Sequence, residues 1–322
     1  MRAGNPARSA ARWIALAAVV ALLAALPWCG NAVLVQFGIS ALLLATLAQG
    51  WNIIGGYAGY PSFGNSVFYG LGAYGVAIAM AQYQLPFWVG MLLALGLGVA
   101  FAGLLGLAVL RLRGHYFAIC TLGLALVMTA IVSNLPLAGG NIGLVLPLLG
   151  NAALFYELAL GLLVLATLTV FWLARSRFGL GLIAIRENEE GAAVMGVNTT
   201  LYKVLAFMLS AAFTALAGGI YAYYITYIDP AGVFDLALNV KMIIMAVFGG
   251  PGSVLGPVLG AFILSVISEI LATKVTSVAS MFFGIVIVVA VVFMPRGISH
   301  LVAHVRQAGW RYFVDNVRAH RL

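Results

Sequence analysis

The stretch WIALAAVVALLAALPWCGNAVLVQFGISALLLATLAQGWNII, Trp13–Ile54, holds no Asp, Glu, Lys, Arg or His. The gap in charge continues to Leu110. No soluble domain can leave so long a run without charge, because its surface must be hydrated. Apolar runs of about 18 residues or more read as membrane-spanning helices. The whole chain follows suit: of 322 residues, 7% are charged and 64% hydrophobic. A soluble domain carries about 25% charged residues. The composition excludes an ordinary soluble enzyme, a disordered chain and a nucleic-acid binder. The net charge of +8 is scattered between apolar runs and forms no clustered basic face.

Cutting the chain at charges, prolines and glycine-rich breaks gives about ten apolar segments. They are Trp13–Cys29, Val33–Ile54, Ser62–Gln82, Phe87–Leu110, His115–Asn134, Ala152–Ala174, Val204–Ile228, Ala237–Gly250, Val254–Leu271 and Ser277–Met294. Ala237–Gly250 is short for a full span, and the glycine content of Ser62–Gln82 reads as a broken or re-entrant segment. Arg2, Arg8 and Arg12 precede the first run, which exits through Leu26-Pro27-Trp28-Cys29 without a small-x-small cleavage site. It is read as a retained helix rather than a signal peptide.

Basic residues set the orientation. With the N-terminus in the cytoplasm, ten crossings place 14 of the 16 Lys and Arg on that side. They fall in residues 1–12, at Arg111/Arg113, in Arg175–Lys203 and in the 295–322 tail. The reading is an all-α polytopic membrane protein with both termini cytoplasmic. A tail at 1–12 and a basic tail at 295–322 flank a membrane domain at 13–294.

Glycine numbers 38, and small residues let helices approach closely in lipid. Gly96, Gly98, Gly103 and Gly106 mark such a face in the fourth segment. Gly55-Gly56-Tyr57-Ala58-Gly59 and Gly249-Gly250-Pro251-Gly252 are similar glycine breaks, both on the cytoplasmic side, so a repeat built on them would be parallel. Cys29 and Cys120 have neither metal-ligand spacing nor a placement that favours a disulfide.

The one long inside connection is RSRFGLGLIAIRENEEGAAVMGVNTTLYK, Arg175–Lys203. Glu187–Met195 is predicted as a short helix with acids in its first turn. Gly196 ends it, and Asn198 caps the following segment. Such a helix between two spans suits the transmission of a push from a soluble partner; equally, its charges keep a cytoplasmic loop solvated.

Four stretches resemble the permease subunits of ABC importers for branched-chain amino acids, of the LivM-like type. They are GGYAGYPSFGNSVFYGLGAY (Gly55–Tyr74), RLRGHYFAICTLG (Arg111–Gly123), IAIRENEEGAAVMGVNTTLYKVLAFMLSAAFTALAGGIYA (Ile183–Ala222) and FGGPGSVLGPVLGAF (Phe248–Phe262). The resemblance implies a second permease subunit, identical or homologous, in the bacterial inner membrane. It also implies two cytoplasmic ATPase subunits that use the ATP and an external solute-binding protein. Glu187, Glu189, Glu190, Ala192, Ala193 and Gly196 then form the loop that couples to the ATPase. Relatives often carry Gly-His at Gly64-Asn65 and an acidic or other residue at His115, so urea, short amides or other small solutes stay open as cargo.

No G-x-x-x-x-G-K-[ST] motif occurs, so this chain is not expected to hydrolyse ATP or to hold a cofactor. No His-x-x-x-His or Asp-rich metal motif occurs either. Beside the breaks, Tyr57, Ser62, Asn65, Ser66, Thr121 and Asn134 are the candidate pathway residues; helix–helix hydrogen bonding is their structural alternative. Lys241 and Glu269 near the outer ends of their segments are expected to snorkel or pair, Asp235 being a nearby partner for Lys241. The dearth of buried carboxylates counts against a stand-alone transporter driven by protons or sodium.

Overall fold

The computed structural model describes residues 20–28, 31–112 and 114–274. The expected tails, the tenth apolar segment, Cys29 and Arg113 lie outside these residues, as does the first part of the first segment, 13–19. Helical residues 20–28 (α1) precede α2, Ala32–Trp51, which runs into a π-helical turn at Asn52–Tyr57. Then come α3 (Asn65–Ala81), α4 (Phe87–Val109), α5 (His115–Ser133) and α6 (Ala152–Arg175). Two short helices, α7 (Arg177–Glu187) and α8 (Glu189–Val194), lead to α9, Thr199–Ile225. The one-turn α10 (Pro230–Val233), α11 (Leu236–Gly249) and α12 (Gly256–Lys274) follow. Each of the eight expected apolar segments from Val33 to Leu271 is helical. Six stretches among the described residues are long and apolar enough to cross a membrane: Ala32–Tyr57, Phe87–Val109, His115–Ser133, Ala152–Arg175, Thr199–Ile225 and Pro230–Gly249.

The chain is a polytopic all-α membrane protein whose outer faces are apolar. Leu92 and Leu104 of α4 and Tyr116 and Ile119 of α5 are exposed, which suits lipid and not water. The centre is α3, wedged between α4 and α9. A Cβ at Gly72 would overlap the Ala215 carbonyl, and one at Gly218 would overlap the Tyr69 carbonyl. Glycine at both points is therefore what lets the α3 and α9 backbones touch.

The small-residue face of α4 differs from the expected one. Gly90, Ala94, Gly98, Ala102 and Gly106 are buried at every fourth position, which is one helix stripe. A Cβ at Gly96 would meet nothing within 4 Å, and one at Gly103 would only loosely meet Met208. Of the four expected glycines, Gly98 and Gly106 lie on the face; glycine alone does not mark all of it because alanine serves equally well there.

The Ser62–Gln82 segment is not broken: α3 is continuous, and the irregular chain lies before it, at 58–64. Arg175–Lys203, expected as a loop around one short helix, is mostly helical. The predicted Glu187–Met195 helix is interrupted at Asn188, whose extended backbone (φ −157°, ψ 103°) ends α7. The Asn188 side chain accepts from Gly191 N at 2.9 Å and starts α8. The acids at Glu189 and Glu190 do occupy a first turn, and Gly196 does end the helix, with φ +87°. Val197 N donates to Ala192 O and Gly196 N to Ala193 O, closing the carbonyls of the last turn. Asn198 caps α9 through Leu201 N at 3.1 Å.

The ends of α4 and α7, the start of α9 and the two glycine breaks, all expected on one side, do lie together, whereas the expected inside stretches 1–12 and 295–322 fall outside the described residues. Lys203 Nζ reaches Leu110 O, Arg186 Nη1 reaches Gly56 O, and Gly252 N reaches Asn52 Oδ1. At the opposite end β1 (Leu144–Val145) pairs antiparallel with β2 (Tyr227–Ile228).

Candidate functional site

Two polar assemblies stand out from the apolar background, and both gather residues far apart in sequence. The first mounts the α7–α8 segment on the membrane helices. Lys203, in the second turn of α9, is 5% exposed and pairs with Glu189 (16% exposed) at 2.6 Å. Its ammonium also donates to Leu110 O at 2.9 Å and Tyr60 Oη at 3.0 Å. Tyr60 Oη in turn donates to Glu189 Oε2 at 2.5 Å. A buried charge is tolerable only when paired and hydrogen-bonded, and three partners meet that demand for this ammonium. Tyr60 continues into the core through edge contacts: its ring meets Phe117 at 5.3 Å, Phe117 meets Phe207 at 6.2 Å, and Phe207 meets Phe68 at 5.0 Å. Close-packed rings transmit displacement, so α8 is joined mechanically to α3.

Arg186, at the end of α7, inserts beside the two glycine breaks. Its guanidinium donates to Gly56 O at 2.9 Å and is held by Glu187 at 2.8 Å. Asn52 clamps the second break: its Oδ1 accepts from Gly252 N at 2.8 Å, and its Nδ2 donates to Ser253 O at 2.9 Å. The breaks that looked alike in sequence thus pack against one another.

The predicted coupling residues separate. Glu189 and Ala192 face inward, whereas Glu190, Ala193 and Gly196 are exposed; Glu187 belongs to α7 and faces Arg186. The apolar tip, Val194 (87% exposed) and Met195 (84%), was not singled out from sequence. Large exposed apolar groups at a polar end mark an interaction surface.

The second assembly lies midway along α9, where α3 and α11 both begin. Asn65 Nδ2 donates to Ser210 Oγ at 3.1 Å. Asn239 accepts from Ser66 N at 2.7 Å and donates to Ser66 Oγ at 2.6 Å. Ser66 Oγ also donates to Phe234 O at 3.3 Å. Of the predicted pathway residues, Asn65 and Ser66 meet here. Ser62 and Thr121 adjoin, Thr121 Oγ1 accepting from Phe63 N at 3.1 Å. Tyr57 is buried in the π-helical turn, apart from them. Asn134 is exposed at the end of α5 and donates to Ala130 O at 2.8 Å, joined to none of them. Its polarity reflects helix capping.

Sequence reading missed Lys203, Tyr60, Ser210 and Asn239. The signal was periodic: Lys203, Phe207, Ser210 and Thr214 continue one buried stripe of α9. Asn239→Leu keeps the volume but strands the Ser66 N–H in the core. It should lower stability by about 1–3 kcal/mol, read as earlier unfolding on heating in detergent.

The sequence model of the family described as "Branched-chain amino acid transport system / permease component" matches residues 33–291. The chain belongs to this family. The permease is 30% identical over 316 residues to the high-affinity branched-chain amino acid transport system permease protein LivM of Salmonella typhimurium, covering 88% of this chain and 74% of that one. It is 29% identical to LivM of Escherichia coli K12 over the same shares. The autoinducer 2 import system permease protein LsrC of Yersinia pestis is 31% identical over 206 residues, 57% of this chain and 58% of that one. No solved structure matches the permease. A LivM-like, multi-pass transport permease is what the fold and these relatives describe together.

Proposed function

We propose that the chain is one of two membrane subunits of an ABC importer that carries branched-chain amino acids across the bacterial inner membrane. It crosses ten times with both termini cytoplasmic. An external binding protein delivers the solute, and two separate ATPase subunits hydrolyse the ATP. The observation that carries this reading is the mounting of α8. A short helix between two spanning segments is pinned by a buried ion pair and presents an apolar tip at Val194 and Met195. This is what a docking element needs: rigidity toward the membrane and apolar surface toward a partner. The partial match to LsrC supports a second reading, the same importer role with another small solute.

Val194→Glu with Met195→Glu tests the docking. Charge on the tip should cut ATPase co-purification and ATP-driven uptake at least tenfold. Unchanged co-purification and uptake would overturn the role of α8. Uptake by this chain alone in liposomes under an ion gradient would overturn the importer reading itself.

A further inference from the structure

The π-helical turn that ends α2, Asn52–Tyr57, does not satisfy all of its own carbonyls. A π-helix bonds each carbonyl to the N–H five residues on. For Gly56 that residue is Pro61, which has no N–H. Tyr60 N, one residue nearer, donates instead to Ile54 O at 3.1 Å. Gly56 is buried, and a buried carbonyl without a donor is costly. The donor comes from outside the helix: it is Arg186 Nη1, at 2.9 Å. The arginine stem lies over Gly59 and its guanidinium borders Gly252, so a Cβ at either glycine would collide with it. Arg186 thus touches both glycine breaks. It stands two residues before Asn188, where the chain passes from α7 into α8.

The two breaks are also tied to each other. Gln49 Nε2 donates to Val254 O at 2.7 Å, beside the two bonds from Asn52 to Gly252 and Ser253. Trp51 Nε1 donates to Ser62 O at 2.8 Å, which fastens the 58–64 stretch to α2 just before Asn65 and the polar assembly at the start of α3. We propose that Arg186 is a positioning residue for transport. It carries the setting of the α7–α8 segment to the π-helical turn, and so moves both breaks and the start of α3 together. The inference rests on the importer reading and supplies the link between the driven segment and the membrane helices. When α8 is displaced, α7 takes Arg186 with it. The Gly56 carbonyl then either follows the guanidinium or loses its donor. Held and released are therefore two distinct settings of the turn, and α7 selects between them. π-helical turns are rare and recur at functional sites, in keeping with such a role.

The test uses the complete transporter in proteoliposomes with its binding protein. Leucine is the probe, and uptake and ATP hydrolysis are read together. Arg186→Met removes the donor and keeps an apolar stem. ATP hydrolysis should stay within twofold of the unaltered complex, while leucine taken up per ATP falls at least tenfold. Arg186→Lys, whose ammonium can still reach Gly56 O, should bring the ratio back to within threefold. An unchanged ratio in Arg186→Met overturns the inference. So does a proportional loss of hydrolysis and uptake in both variants, which would make Arg186 a folding residue only. Where Arg186→Met cannot be recovered folded, Gln49→Leu decides: it leaves Arg186 in place and cuts one bond between the breaks. Its ratio should fall at least threefold, and an unchanged ratio overturns the inference. If the unaltered complex takes up no leucine on addition of ATP, the importer reading fails and the inference falls with it. If it does take up leucine and the variants keep its ratio, the inference alone fails.

Discussion

Lys203→Met should abolish ATP-driven import and lower stability by about 3 kcal/mol. Removing one member of a buried pair typically costs about 3–5 kcal/mol, because the other charge is left uncompensated. Glu189 keeps 16% exposure, which puts the cost at the lower end. Replacing both charges by apolar groups of similar volume is often close to neutral. Lys203→Met with Glu189→Leu should therefore regain most of the stability. Import should stay lost in the double variant, because α8 no longer holds Tyr60 and the ring series beyond it. Thermal unfolding and ATP-driven uptake, measured on both variants, separate the two effects. Recovery of import together with stability would show that the pair only stabilises.

Gly218→Ala should prevent recovery of folded permease. The added methyl would overlap the Tyr69 carbonyl, and the matching contact of Gly72 on the Ala215 carbonyl leaves α3 and α9 no room to slide. Overpacking costs about 1–3 kcal/mol when side chains can adjust; backbone against backbone cannot adjust, so the loss should reach at least about 3 kcal/mol. Gly96→Ala is the control: nothing lies within 4 Å, and a helical Gly→Ala change favours the helix by up to about 1 kcal/mol. Size-exclusion profiles after mild heating should show a monodisperse peak for Gly96→Ala and none for Gly218→Ala. A normal profile for Gly218→Ala would mean that the helices are not in backbone contact.

Helix positions were legible because lipid dictates both their length and their lack of charge. The caps at Asn198 and Gly196 were legible because short polar side chains and positive φ leave local signatures. The break at Asn188 was not: Glu187–Met195 reads as one helix until the Asn side chain is seen capping Gly191. Glycine text was ambiguous, since Gly55–Gly59 marks a real irregularity while Gly70 and Gly72 serve packing within a continuous α3. Lys203 was read only as a marker of sidedness. Whether a lysine at a span end reaches outward or turns in depends on its partners, here Tyr60 and Leu110, which are 143 and 93 residues away.

The late start of α11 bears on how the protein is made. Its 14 residues rise about 21 Å, well short of a hydrocarbon core of about 30 Å. Only together with α10, as Pro230–Gly249, does it reach spanning length, and that stretch carries Asp235 and Lys241. Its place is completed by Phe234 against Gly70 and Asn239 against Ser66, both on α3, which is synthesised more than 150 residues earlier. Insertion of α11 is therefore a tertiary event: the finished half of the protein serves as the template into which the last segments settle.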